Sequence, residues 1–345
     1  MLSQWSMIVL LVGFSLAGLA VFVSGLRITA LIDRLADRTG LGEAMAGAVL
    51  LGAATSLSGV VVSVTAAFDS QPSLAFSNGI GGIAAQTAFL AIADLTYRKA
   101  NLEHAAAELA NIFQALVLIG LLTLPLAALA LPEFTILAIH PVSFLIPMIY
   151  VGLLVASRTV REAPMWRPVP TPDTRRDIPE RENPKARSET TGQLFVTFGG
   201  LMIVMGVAGW VLAKTGSEVM QRLDLSAALF GALGTAVVTS LPELVTTLAA
   251  VRRGALQLAV GGIIGGNTFD TLFLAAADFS YREGSLYHAV GMANYFWVVT
   301  AILMTVILMA GLIVRERRGP ARIGLESVAL LAIYGSAILI QVTIW

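Results

Sequence analysis

The sequence predicts an all-α membrane protein with ten transmembrane helices, arranged as two inverted five-helix repeats. Three observations carry this prediction. Of the 345 residues, 57% are hydrophobic and 13% charged, with a mean hydropathy of +0.81, well outside the range of a soluble globular domain. Apolar runs long enough to cross a bilayer, roughly 17 to 25 residues each, recur along the whole chain. Finally, Ala54–Ala105 lies over Val238–Ala289 at a constant offset of 184 residues, with 21 of 52 positions identical and no gap.

The apolar runs fall near residues 7–28, 42–68, 73–96, 108–131, 134–156, 193–213, 226–250, 256–280, 290–314 and 323–343. The first has no basic residue ahead of it, which predicts a retained span and not a cleaved signal peptide. The second and seventh open the matched segments with Thr55-Ser56-Leu57-Ser58-Gly59 and Thr239-Ser240-Leu241-Pro242-Glu243. The third and eighth carry Gly81-Gly82 and Gly265-Gly266 and end on Asp94 and Asp278, followed by Tyr97-Arg98 and Tyr281-Arg282, with His104 and His288 just beyond. The other six runs complete the two sets of five. An odd number of spans per repeat forces the second copy to enter from the opposite side. The halves are 1–156 and 193–345.

Basic residues test the orientation independently. With the N-terminus outside, the cytoplasmic loops hold Arg27, Arg34, Arg38, Arg98, Lys99, Arg158, Arg161, Arg167, Arg175, Arg176, Arg181, Lys185, Arg187, Arg252, Arg253, Arg315, Arg317, Arg318 and Arg322. The outer loops hold only Lys214, Arg222 and Arg282. This bias predicts both termini outside, in a bacterial cytoplasmic (inner) membrane. Residues 157–192 form a cytoplasmic linker whose prolines and mixed charge predict an extended or disordered segment. A chain without cysteine has no thiolate or disulfide chemistry, and zero net charge suggests no nucleic-acid partner. The expected partners are inorganic cations and the lipid bilayer, with no cofactor and no enzymatic activity.

Chemistry belongs where ionisable groups interrupt the spans, because an unpartnered acid in hydrocarbon costs several kcal/mol. Glu243 is the clearest case, with Thr239 and Ser240 four and three residues before it on one helical face. Pro242 rules out a continuous helix there, and an unwound step exposes carbonyls able to ligate a cation. Ser240-x-x-Glu243 also reads as a capping box. Asp270 is the second acid and follows Gly265-Gly266-Asn267-Thr268-Phe269. The glycines permit a kink or close helix packing, and Asn267 lies one turn before Asp270. Asn78, Ser63, Thr65 and Thr247 fit helix contacts better than a pathway. Asp94 and Asp278 fit interfacial anchors or local ion pairs better than gating, and His104 and His288 lie near the headgroups, a place that makes pH sensing the weaker reading for them.

Thr-Ser-Leu-Pro-Glu followed by Gly-Gly-Asn-Thr-Phe-Asp, repeated in an inverted half, resembles the alpha-repeats of the cation/calcium exchanger superfamily. The resemblance implies a sodium/calcium exchanger type of antiporter driven by Na+ or H+, with a central cluster of cation ligands. Residue by residue, it carries Thr239, Ser240, Glu243 and Asp270 over from the second repeat and Thr55 and Ser56 from the first, with Glu243 and Asp270 as the charged ligands. Gln86 and Asn267 are added as neutral oxygens. The first repeat departs from the pattern. Gly59 stands where the family has its other glutamate, Ser58 replaces the proline, Gln86 replaces an asparagine, and Gly82 and Gly266 replace the motif serine. The transported cation is left open among Ca2+, Na+, H+ and others, and a non-transporting scaffold or ion sensor is the alternative.

Overall fold

The computed structural model describes residues 4–39, 52–97, 99–162, 164–174, 190–317, 319 and 323–345. Among these residues the chain is helical, with one isolated β-bridge between Ile136 and Ile139 and no strand. The first half holds α1 (Met7–Thr39), α2 (Gly52–Thr55), α3 (Leu57–Phe68), α4 (Pro72–Thr96), α5 (Leu102–Ala105), α6 (Leu109–Ala130) and α7 (Val142–Glu162). The second holds α8 (Thr191–Arg222), α9 (Ala227–Leu229), a π-helical turn (Phe230–Thr235), α10 (Ala236–Thr239), α11 (Leu241–Arg253), α12 (Leu256–Asp270), α13 (Leu272–Ser280), α14 (Leu286–Ala289), α15 (Met292–Val314) and α16 (Leu325–Ile344).

Among the described residues seven helices, counting α12 and α13 together, are long and apolar enough to cross a membrane, and the pair 227–239 and 241–253, bent by 48°, passes the same test when taken together. The remaining two predicted spans are shorter here. Leu57–Phe68 has 12 residues, and the residues expected ahead of it, 42–51, lie outside the described residues. The run expected from 134 becomes helical only at Val142, because Pro132 and Pro141 bracket a turn in which Leu137 and Ala138 take positive φ. Two helices are longer than their apolar runs: α1 continues to Thr39, and α8 starts on a capping box between Thr190 and Gln193 and continues to Arg222.

Both breaks fall at the serine of the repeated Thr-Ser-Leu. Ser56 separates α2 from α3, and Ser240 separates α10 from α11. In the next spans the repeats differ: α4 runs unbroken through Gln86, whereas α12 stops at Asp270 and α13 resumes at Leu272. The kink thus lies one turn beyond Gly265-Gly266. The most buried spans are α4 and the α12–α13 pair, while α1, α8 and α16 are largely exposed flanks. Close approach at the centre depends on Gly81, where a Cβ would lie 2.4 Å from the Cα of Ala232 in the π-helical turn. Asn78 and Ser63 serve helix contact, since Asn78 Nδ2 donates to Gly59 O and to Ser63 Oγ, both at 3.0 Å.

The offset of 184 also describes contacts between the halves. Asp94 Oδ1 accepts from Leu102 N at 2.7 Å and its Oδ2 from Gly324 N at 3.0 Å. Asp278 repeats both bonds, accepting from Leu286 N and from His140 N at 2.8 Å each. His104 bonds the carbonyl of Arg315, and His288 that of Leu131. Leu102 and Leu286 lie in the same half as their aspartates, whereas Gly324, His140, Arg315 and Leu131 sit in the half opposite their partners, as a two-fold relation requires. These aspartates are therefore buried and cap backbone N–H groups, and the histidines are fixed by backbone carbonyls. The described part of the linker is also held: Arg315 donates to Val169 O and Thr174 Oγ1, and Thr171 Oγ1 meets His104 Nε2.

Candidate cation site

The polar residues of the two helix breaks meet at the centre of the bundle. Ser56 Oγ donates to Asp270 Oδ1 at 2.8 Å, and Gln86 Nε2 donates to Asp270 Oδ2 at 2.7 Å and to Ser240 Oγ at 3.2 Å. Under the offset, Ser56 maps onto Ser240 and Gln86 onto Asp270. The Ser56–Asp270 and Ser240–Gln86 bonds are thus one contact seen from each half, and Gln86 and Asp270 touch on the two-fold itself. Thr55 hydrogen-bonds the Glu243 carboxyl, and Glu243 and Asp270 lie close enough to interact electrostatically. All six side chains are at least nine-tenths buried.

Two expected ligands donate their protons outside this group, while Asn267 Oδ1 has no partner. Thr239 Oγ1 bonds back to the carbonyls of Thr235 and Ala236 at 2.9 and 3.1 Å. Asn267 spends its amide N–H on Thr87 Oγ1 at 2.9 Å. The capping-box reading of Ser240 and Glu243 does not hold, because the Ser240 side chain caps no helical N–H and accepts from Gln86 instead. Sequence reasoning missed Thr87, and also Gln114 on α6, whose Oε1 lies 4.0 Å from where a Cβ on Gly265 would stand. A polar residue in an apolar run was the available signal.

The cluster has an excess of acceptors. Glu243 Oε2, Gln86 Oε1, Asn267 Oδ1 and Gln114 Oε1 are all buried without a hydrogen-bond partner. A buried oxygen lacking a donor costs about 1–3 kcal/mol. Of these, Glu243 Oε2 and Gln86 Oε1 belong to the group that meets around Asp270, and bare oxygens beside two carboxylates make a set that a hard cation satisfies. Among the described residues no group of three or more His, Asp or Glu side chains gathers at metal-ligand distances, so the cluster holds two carboxylates, Glu243 and Asp270, and its other side-chain oxygens are neutral.

The first-repeat glutamate has no vacant place waiting for it. A Cβ on Gly59 would lie 2.5 Å from Cε2 and 2.9 Å from Cζ of Phe273, whose buried ring occupies that space. At Gly82, by contrast, a Cβ would stand 3.5 Å from both Asp270 Oδ2 and Ser240 Oγ, at ordinary contact distance.

A membrane-embedded helical bundle built from two repeats, with broken helices delivering carboxylates and bare oxygens to their shared axis, defines a cation transporter of the exchanger class. The chain belongs to the sodium/calcium exchanger protein family, whose model matches residues 9–159 and 193–343. Among solved structures it is similar to the sodium-calcium exchanger NCX_Mj in its form with Na+ and zero Ca2+, at 18% identity, a TM-score of 0.63, and coverage of 98% of this chain and 100% of that one. The Na+/Sr2+ form of NCX_Mj gives the same identity and TM-score over 97% of this chain and 99% of that one. At this identity the likeness concerns the fold. Among curated proteins, the inner membrane protein YrbG of Escherichia coli (strain K12) is 29% identical over 128 residues, which is 37% of this chain and 38% of that protein.

Proposed function

We propose that this chain is a secondary active antiporter that exchanges an inorganic cation for Na+ or H+ by alternating access between two inverted five-span halves. Glu243 is the central ligand and Asp270 the second charged ligand, with Ser56, Thr55, Ser240 and Gln86 holding them and supplying neutral oxygen. The observation that carries the reading is the group of partnerless acceptors, Glu243 Oε2 foremost, buried where the two repeats meet. A scaffold without cargo has no use for intramembrane acids that continuously cost stability. The nineteen basic residues assigned to one side support a cytoplasmic linker and outside termini, and the YrbG relative supports an inner-membrane location.

Two carboxylates neutralise one divalent cation, or two monovalent ions, or exchange protons for either. With Gly59 and Phe273 in place of a third central acid, the site carries fewer co-ions per cycle than one with two central glutamates. Purified protein in proteoliposomes, given Ca2+, Na+, K+, Mg2+ and Mn2+ in turn under an imposed Na+ or pH gradient, tests this reading. Gradient-driven uptake of at least one cation is expected. No uptake of any cation under either gradient refutes it in favour of the scaffold.

A further inference from the structure

The two-fold partner sites at the ends of the bundle differ in one respect. Around Asp278 the neighbours are Tyr287, Val142 and the side chain of His140. The Asp278 carboxylate accepts from two backbone N–H groups and from Ser143 Oγ, which also bonds Tyr287 Oη. Around Asp94 the equivalent positions are Glu103, Glu326 and Gly324. A Cβ on Gly324 would lie 3.0 Å from Glu326 Oε2, 3.3 Å from Asp94 Oδ2 and 3.4 Å from Glu103 Oε2, so three carboxyl oxygens converge on one point. The Gly324 backbone, at φ −57° and ψ 138°, suits any residue, so the glycine is there for the space. Glu103 is fully buried; its Oε2, aimed into this space, has no partner, and the same holds for Glu326 Oε2. No metal-ligand grouping forms here.

We propose that Asp94, Glu103 and Glu326 form a proton-binding site that ties α4 and α5 of the first repeat to the start of α16 of the second, at the end of the bundle where the linker docks. Carboxyl groups this close do not all ionise together. Both Asp94 oxygens already accept a backbone N–H, Oδ1 from Leu102 and Oδ2 from Gly324. Glu103 accepts a long bond from Ser327 Oγ at 3.4 Å and one from its own backbone N–H, but its Oε2 is left bare, so it holds the proton. Burial first, then the charge of Asp94, pushes the Glu103 carboxyl up to about 8. Among the described residues, the other charged groups around it are Glu316 near Glu326, and His104, Arg315 and Arg317 at the adjoining helix ends. Arg317 is already paired with Asp173. Because its folded value lies above its ordinary value of 4.5, the stabilisation from protonated Glu103 is complete below about 4.5 and is lost as pH rises through about 8. Loss of the proton places a second charge beside Asp94 and loosens this end, while the Asp278 end, closed by hydrogen bonds to Ser143 and the backbone, does not respond.

Hydrogen exchange on the purified full chain between pH 6 and 9, expressed as protection factors, reads this difference directly. The amides of Leu102 and Gly324 should lose about ten-fold protection with a midpoint near 8, while the two-fold partners Leu286 and His140 keep theirs. Glu103→Gln should abolish the step. Glu326→Gln, which leaves Glu103 in place and removes a neighbouring acid, should move the midpoint to lower pH. A step of equal size at both ends, a step that survives Glu103→Gln, or an unmoved midpoint in Glu326→Gln overturns the proposal. So does protection gained on adding millimolar Ca2+ at pH 9 in wild type but not in Glu103→Gln, since the occupant is then a metal ion. The measurement involves no transport, so its failure and the failure of the antiporter reading are separate results.

Discussion

Replacing Gly59 probes the feature that most sets this site apart from a two-glutamate exchanger. The new Cβ of Gly59→Ala would enter within 2.5 Å of Phe273 Cε2. Neither side can retreat easily. The Gly59 carbonyl is pinned by Asn78 Nδ2 at 3.0 Å, and Phe273 is 3% exposed, with the backbone at Gly79 against its Cβ. Overpacking of this kind costs about 1–3 kcal/mol. Phe273→Ala alone opens a cavity and costs about 3–5 kcal/mol. In the double variant the methyl group occupies part of that cavity, so the pair should be more stable than the sum of the singles by about 1–3 kcal/mol. Thermal unfolding of the four proteins in detergent measures the coupling. With Glu at position 59 the same logic reaches function. Gly59→Glu alone should lose stability without gaining Ca2+ affinity, whereas Gly59→Glu with Phe273→Ala gains room for a third acid. Attraction between unit charges at about 4 Å, worth roughly 4 kcal/mol at an effective dielectric near 20 before desolvation, leaves scope for at least about ten-fold tighter Ca2+ binding by calorimetry. Additive single effects, or a Gly59→Ala protein within about 0.5 kcal/mol of wild type, refute the reasoning that Phe273 has closed this position.

Neighbouring glycines should separate sharply. Gly82→Ser should unfold within about 0.5 kcal/mol of wild type and alter apparent cation affinity, since its Cβ meets Asp270 and Ser240 at 3.5 Å, whereas Gly81→Ala, directed at the Ala232 backbone, should lose about 3 kcal/mol or fail to fold; equal thermal stabilities would contradict this. Asp270→Asn should reduce transport less than Glu243→Gln, because the Ser56 hydroxyl can turn to accept from the new amide while Gln86 keeps its acceptor; initial uptake rates rank the two. Single cysteines at Ser3 or Trp345 should react with an impermeant reagent from outside and one at Arg176 only from the cytoplasm, and the opposite pattern would overturn the orientation.

The offset of 184 residues was the strongest signal in the sequence, and it reaches further than the identities suggest. It pairs Gly324 with His140 and Arg315 with Leu131, positions outside the matched segment, because the two-fold constrains backbone contacts whatever the side chain. Glu243, Asp270, Ser56, Thr55 and Ser240 were legible as polar residues at helix breaks, and Gln86 as the residue that the offset sets opposite Asp270. Thr239 and Asn267 were not separable from them, since whether a threonine bonds its own helix or faces the cavity depends on a rotamer that spacing does not fix. The gap left by the first-repeat glutamate was visible at Gly59, but not its filling, because Phe273 lies in the other repeat and only packing joins them. Asp94 and Asp278 looked interfacial because Tyr and Arg follow them, yet capping buries both. Gln114 and Glu103 stood in or beside apolar runs and drew no attention without their neighbours.

The central claim is that the acceptor-rich cluster on the two-fold is the transport site, and Glu243→Gln tests it most directly. The amide is nearly the same shape and keeps one oxygen but removes the charge. Reconstituted side by side, with insertion and thermal stability verified for each, wild type should show gradient-driven uptake of a cation and charge movement on a solid-supported membrane, and Glu243→Gln should show neither. A folded Glu243→Gln protein that moves the same cation at the wild-type rate would contradict the account.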